Sequence, residues 1–429
     1  MASIRERNGS YQITVSCGRN IDGHKIRESI TYTPDPKLTP KKRQIAVEDY
    51  ARQFEEQVRN GVAQDGRKTT LKEFADRWLV EYGEQKLELT TLEDYTAELN
   101  GKILPELGHY KLSELKPQIL NSFFVSLSKD GIRKDGKSGG YSKATIKKTQ
   151  DVLSSVLRTA IDWEIIDKNP CDKVRIEAED AAEKIKFFTP QETAIFLNYI
   201  ERPYVVRTAG HKRIDDTGKE YVVGTYESTK EISEQLRILF NLAVYTGLRK
   251  GEIIALTWDD IDFELDTITI QKSAAVVNSG QIVKRTKSKK SNREISIPHS
   301  LTVRLQKLQK EQQAYRKLLG SHWKGQNWIF IQDNGKQMNY STPYQAFQKA
   351  IKRYNTDKAP KDQLPMIPFH GLRHTSATLL IAGREDISTV SSRLGHAQTS
   401  TTMNIYVHAL KESDRKASNT LEKLIDEHK

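Results

Sequence analysis

The apolar positions change their period along the chain, and three textures follow one another. Up to about Gly66 the period is first two: Tyr11, Ile13 and Val15 alternate with polar residues. Arg19-Asn20-Ile21-Asp22-Gly23 then supplies turn chemistry, and Lys25 to Thr33 alternates again until Pro34-Asp35-Pro36 stops it. From about Lys41 the step becomes four, through Ala46, Tyr50, Phe54 and Val58. This predicts a small three-stranded sheet packed on one helix, basic at Lys41-Lys42-Arg43.

The second texture, from about Lys68 to Val174, is helical. Thr70-Leu71-Lys72-Glu73 and Thr90-Thr91-Leu92-Glu93 both match the capping box, in which hydroxyl and carboxylate satisfy the orphan amides of a helix start. Ile146, Leu153, Val156, Leu157 and Ala160 form an apolar stripe at helical spacing. Between helices, the stretch from Lys129 to Gly140 reads as a flexible cationic loop, either following a DNA backbone or simply solvated. Asn169 to Lys186, with Asn169-Pro170 and mixed charges, reads as an interdomain linker.

The third texture starts at Thr189-Pro190-Gln191-Glu192, a capping box with proline at the first helical position. Arg202 to Glu231 interrupts the helical pattern with Gly210, Gly218, Gly224 and alternating Tyr/Val segments, which predicts an inserted β-hairpin or an ordered loop. A helix carrying Ile232, Leu236, Leu239, Phe240 and Ala243 should end at Gly247. Three strands are then expected, over Thr267 to Val277, Gln281 to Lys284 and Arg293 to Ile297. The domains expected are therefore 1–66, 67–175 and 176–429. The fold class is multidomain, mainly α with small β elements.

Composition narrows the function. Hydrophobic residues at 37% and charged residues at 29% fit a globular protein, and a net charge of +12 favours a polyanionic partner such as nucleic acid. Two cysteines, Cys17 and Cys171, lie far apart and make no disulfide framework, which fits a reducing cytoplasm. No apolar run suits a secretory signal or a membrane span, so a soluble intracellular protein is expected.

Four features of the third region carry chemistry. Thr246-Gly247-Leu248-Arg249-Lys250-Gly251-Glu252 places Arg249 at a helix–helix junction. The connection holding Lys284, Arg285, Lys287, Lys289, Lys290 and Arg293 has no intervening acid; it reads as a phosphate-attracting patch in which one lysine can also donate a proton. His370-Gly371-Leu372-Arg373-His374 puts His370 and Arg373 on one helical face. Leu394-Gly395-His396 precedes Thr401-Thr402-Met403-Asn404-Ile405-Tyr406. The three histidines do not make HExxH, and no cysteine or nearby acid completes a zinc ligand set.

The order Arg, Lys, His-x-x-Arg, His, Tyr, with Gly-Leu-Arg-x-Gly-Glu first and Leu-Gly-His shortly before the tyrosine, resembles the tyrosine recombinase family, the integrases of phages and conjugative transposons. The match runs from Thr189 to about Leu410. More loosely, residues 1–66 resemble an arm-type DNA-binding domain, and 67–175 a helical core-binding domain. The resemblance implies a mixed α/β catalytic domain and attack by Tyr406 on a DNA phosphodiester through a 3′-phosphotyrosyl intermediate. It implies that Arg249 and Arg373 bind the phosphate, His370 accepts the tyrosine proton, and His396 hydrogen-bonds the phosphate. Lys287 is the implied acid for the leaving 5′-oxygen, with Lys289 or Lys290 fitting after a small shift. Glu252 matches an acidic position that orients its surroundings, while His374 and His408 read as structural.

Neither metal nor nucleotide is implied, since cationic side chains replace the ion and the phosphotyrosine retains the bond energy. The implied partners are duplex DNA at core and arm sites, three further copies in a tetramer, and accessory directionality or bending proteins. The implied place is DNA-associated in a bacterial cytoplasm. The tail through Leu410, Ala417, Leu421, Leu424 and Ile425 is apolar at helical spacing, for docking on its own domain or a neighbour. Three rivals remain: a topoisomerase using the same transesterification; a DNA-binding regulator, which would lack the nucleophile or an arginine; and a metal-dependent nuclease, which activity in excess chelator would exclude.

Overall fold

The computed structural model describes residues 2–7, 9–19, 25–36, 38–59, 68–176, 186–214, 216–285, 292–356 and 358–395. The chain divides into two compact units, Met1–Ala181 and Ala182–Lys429. Among the described residues, no helix is long and apolar enough to cross a membrane.

The first unit holds two separate cores. Strands Ser3–Arg7, Ser10–Arg19 and Lys25–Tyr32 make an antiparallel sheet in that order. Ile13 and Val15, two apart and so on one face of the middle strand, meet Ala51 and Phe54 of the Pro40–Arg59 helix. The Tyr32 and Tyr50 rings stack at 4.2 Å. The second core is helical. Leu71–Trp78 opens with the expected capping box at Thr70. Pro117–Leu127 and Lys143–Asp162 supply much of its wall, the latter through the expected stripe from Ile146 to Ala160. Its buried polar groups are paired: Trp78 Nε1 donates to Thr159 Oγ1 at 2.9 Å, and Lys102 holds Glu98 at 2.7 Å.

Two local expectations need correction here. The helix expected to start at the Thr90 box is Leu89–Glu98, with Glu88 at its N-cap. The preceding helical run ends only at Lys86, so the next helix must begin almost at once, and Thr90 falls inside its first turn. The 129–140 loop is not loose: Arg133 grips Asp135 at 2.6 Å, and Asp130 accepts from the Gly139 amide at 2.6 Å. The Arg133 hydrogen bond holds the Asp135 carboxyl well below its ordinary pKa.

In the second unit, the Thr189 capping box starts the Pro190–Ile200 helix as expected. The interruption that follows is a long hairpin. Tyr204–Thr208 pairs with Tyr226–Lys230, and His211–Ile214 pairs with Glu220–Val223 farther out. The expected strand from Thr267 to Val277 is broken at Gln271. Thr267–Ile270 is the middle strand of a sheet with Ile261–Asp262 and Arg293–Ser296, whereas Lys272–Val277 pairs only with Gly280–Arg285. The division follows burial: Ile268 and Ile270 enter the main core, while Ala274 joins Ile254 and Ala255 in a smaller cluster. The main core is aromatic, with Phe188, Phe196, Phe240, Phe347 and Phe369 in mutual contact.

His374 sits in the Gly371–Ala382 helix, and its buried Nδ1 has no hydrogen-bond partner among the described residues. Burial, then the neighbouring His370 and Arg373, push its pKa from the ordinary 6.5 down to about 4. Between those values the unfolded chain binds more protons than the folded one, so this contribution to stability is full above about pH 6.5 and lost as pH falls toward 4. Thermal midpoints from pH 7 to pH 4.5 should therefore fall more steeply for the parent than for His374→Gln; parallel curves would exclude the effect.

Candidate active site

The Glu234–Thr246 helix stops where its pattern says it should, at Gly247, whose φ of 64° lies in the left-handed region. A Cβ there would run into Leu394 and Ser376, so glycine is required twice over, by backbone and by space. The reversal frees the Gly247 carbonyl, which accepts Arg373 Nη1 at 2.8 Å. It also starts the short Lys250–Ile254 helix with Arg249 at its N-cap.

Arg249 is held at both ends. Its backbone N–H donates to Glu252 Oε2 at 3.0 Å, and its Nη1 donates to Glu252 Oε1 at 2.9 Å. Its Nη2 reaches the carbonyl of Gly395 at 3.4 Å. The side chain nevertheless keeps 40% of its surface, so part of its donor fork faces outward.

Glu252 is 2% exposed and carries a second guanidinium. Arg293 Nη2 lies 2.9 Å from Glu252 Oε2, and Arg293 Nε donates to the Arg393 carbonyl at 2.8 Å. Burial alone would raise the Glu252 pKa; hydrogen bonds from Arg293 and Arg249 and their charges outweigh it and leave it below the ordinary value. Arg293 thus ties three segments together: the strand it opens, the Glu252 helix, and the end of the Ile387–Leu394 helix. Gly395 follows that helix with a φ of 68°, and a Cβ on it would press on the Arg293 guanidinium.

The Gly371–Ala382 helix brings His370 and Arg373 to the same place. Arg373 is 3% exposed, and apart from its bond to Gly247 its Nη2 has no partner among the described residues. Burial, then the charge of Arg249, bring its pKa down to about 9, which leaves it cationic at neutral pH. His370 caps this helix, exposed at one edge, with its ring 5.0 Å from that of His374. Desolvation by the wall behind it, then the charges of Arg373 and Arg249, lower its pKa, so the imidazole is neutral and able to accept a proton at pH 7.

Two guanidinium groups therefore pair with one carboxylate while a third, Arg373, feels its charge, and the excess positive charge borders a cleft of ≈ 380 Å³ lined in part by Arg249 and His370. Such a site favours an anion with several acceptor oxygens, since forked donors match phosphate geometry. No group of three or more His, Cys, Asp or Glu side chains positioned to hold a metal ion occurs among the described residues.

Of the residues expected from the sequence, Arg249, His370 and Arg373 come together. Lys287, His396 and Tyr406 lie outside the described residues, as do Lys289, Lys290 and His408. The buried role of Arg293 was missed, because it was grouped with the cationic loop before it. Its signal was present: Arg293, Ile295 and Ile297 alternate with Glu294 and Ser296, so strand geometry turns Arg293 inward with the two isoleucines.

A profile described as the phage integrase family matches residues 205–413, and one for the N-terminal SAM-like domain of phage integrases matches residues 70–128. A tyrosine recombinase XerC-like protein of Caldanaerobacter subterraneus is 26% identical over 97% of both chains. The ICEBs1 integrase of Bacillus subtilis is 25% identical over 99% of this chain and 100% of its own. Among solved structures, the Tn1549 transposon integrase in complex with a circular intermediate DNA superposes with a TM-score of 0.61, at 20% identity, over 82% of this chain and 100% of that one. A lambda integrase dimer bound to a core site gives 0.52 at 18% identity, over 79% and 95%. The structural likenesses bear on the fold, the profiles and full-length relatives on descent: the chain belongs to the phage integrase family of tyrosine recombinases.

Proposed function

We propose that this recombinase integrates and excises a mobile element, cutting and rejoining duplex DNA through a covalent link to Tyr406. The tyrosine oxygen attacks phosphorus, a 3′-phosphotyrosyl bond forms, and the bond to the 5′-oxygen breaks. His370 takes the phenol proton. Lys287 gives a proton to the departing 5′-oxygen, and the reverse sequence reseals the strand. Arg249 and Arg373 bind the non-bridging oxygens, where charge grows in the transition state, and His396 adds a hydrogen bond to the same phosphate.

The observation that carries this reading is the pairing of an exposed guanidinium fork with a buried one whose Nη2 lacks a partner among the described residues, beside a neutral imidazole. The two arginines come from segments far apart in the chain, and together with Arg293 they carry more positive charge than the one carboxylate Glu252 balances, which favours an anion between them. The relatives fit the same reading: one is the integrase of ICEBs1, another that of a transposon bound to DNA, and a lambda integrase tetramer is solved on a Holliday junction. On that basis the protein acts as a homotetramer on two DNA duplexes, at core and arm sites, in a bacterial cytoplasm, with accessory proteins setting direction. Residues 1–66 then serve the arm sites, 67–175 the core site and 176–429 the chemistry.

Nicked suicide duplexes made from cellular DNA flanking the element test the nucleophile. On denaturing gels the parent should leave a protein–DNA adduct, and Tyr406→Phe should bind the same DNA without one; an adduct in the mutant removes Tyr406 from the role. Lys287→Ala should fail to cleave ordinary DNA yet cleave a substrate with sulfur at the bridging 5′ position, whose thiolate leaves without a proton. Normal cleavage by that variant would shift the acid to Lys289 or Lys290. For Arg249→Ala, a lost charge-assisted contact of about 1.5–3 kcal/mol should slow single-turnover adduct formation by about 10- to 100-fold.

A further inference from the structure

The cleft does not stop at Arg249 and His370. It runs on over Lys250 and is walled there by Ser273, Tyr340 and Tyr344. The Lys250 ammonium lies 3.9 Å from the centre of the Tyr340 ring. Two nearby cations are paired with carboxylates: Lys272 with Asp260 at 2.9 Å, and Arg293 with Glu252 at 2.9 Å. Among the described residues no carboxylate pairs with Lys250, and its partner is the ring face. Burial lowers its pKa, as expected for an ammonium that has shed part of its water without gaining an anion.

The surroundings are rigid. The Tyr340 N–H donates to Gln281 Oε1 at 2.7 Å, and Gln281 Nε2 donates to the Met338 carbonyl at 3.0 Å. Gln337 Nε2 reaches the Ile254 carbonyl at 3.0 Å, at the far end of the helix that Lys250 begins. At Gly251 a Cβ would collide with the Ala274 carbonyl and Ser273, so this helix seats directly on the hairpin strand. Lys250 is therefore aimed rather than free to sweep solvent, and the aromatic ring beneath it leaves its donors to be satisfied from the open side.

We propose that this extension of the cleft is a second phosphate subsite, in which Lys250, seated on Tyr340, binds the DNA phosphate next to the one engaged by Arg249. A point-charge ammonium suits the second site, which must hold the backbone without taking part in bond exchange. The subsite rests on the reading of the protein as a DNA-cleaving recombinase, and it adds register: the scissile phosphate is presented to Arg249 because its neighbour is already held.

The test uses the full chain and suicide duplexes carrying the cleavage site mapped from trapped adducts. Phosphates beside the scissile one are replaced singly by uncharged methylphosphonates. With the parent, one such replacement should slow adduct formation by about tenfold or more, the effect of one lost charge-assisted contact. Lys250→Met keeps the apolar stem on Tyr340; it should be slowed by the same factor on unmodified DNA and show no further penalty from that methylphosphonate. Its binding should also depend less steeply on salt, by about 0.9 in the log–log slope, the share of one phosphate. Lys250→Arg should restore both the rate and the methylphosphonate penalty, which a purely structural lesion would not allow. A Lys250→Met protein as fast as the parent, or one whose penalty multiplies with every methylphosphonate tested, overturns the subsite. Failure of the parent to form any adduct on unmodified DNA would instead overturn the recombinase reading, and the subsite with it.

Discussion

The site is organised by one buried carboxylate. Glu252 accepts from Arg249 on one side and Arg293 on the other, and with almost no solvent contact it cannot be left with only part of that compensation. Removing Arg293, the partner buried with it, costs about 3–5 kcal/mol, because the remaining charge stays desolvated. A helix cap, by comparison, is worth about 1 kcal/mol. The carboxylate therefore dictates where both guanidinium groups lie, and through Arg293 it also fixes the strand after the cationic loop and the turn at Gly395.

The arrangement leaves positive charge in excess, and that excess is unequally exposed. Arg249 offers its fork to solvent, whereas Arg373 waits behind it almost fully buried. A cation in a low-dielectric wall acts strongly on an anion that enters and excludes water, and it costs no reorganisation when the anion gains charge. Burial first, and then the same positive field, keep His370 neutral, which is the protonation state a proton acceptor needs. The excess charge and the neutral imidazole thus share one partly desolvated environment.

Backbone conformation holds this environment in place. Two left-handed glycines, Gly247 and Gly395, end different helices, and each presents its carbonyl to an arginine from a distant segment. The helix ends are stopped and the guanidinium groups oriented by the same turns. Lys250 and Tyr340 extend the arrangement along the cleft; Gln281 ties the Tyr340 segment to the hairpin, and Gln337 ties it to the Lys250 helix.

Much was legible in the residues alone. Period-two and period-four patterns marked the first sheet and its helix, Thr70 and Thr189 marked helix starts, and Gly247 marked a stop, because each reports a local preference of backbone or burial. The ordered set of Arg249, His370, Arg373 and Tyr406 pointed to the family to which the chain belongs. What the residues could not disclose was partnership. That Gln271 breaks one apparent strand into two sheets, that Arg293 belongs with Glu252, and that Lys250 rests on an aromatic ring depend on which distant segments meet. Local propensity carries no term for such meetings. Only the packed tertiary structure, by removing water from particular charges, decides which of them must be paired and which remain for a ligand.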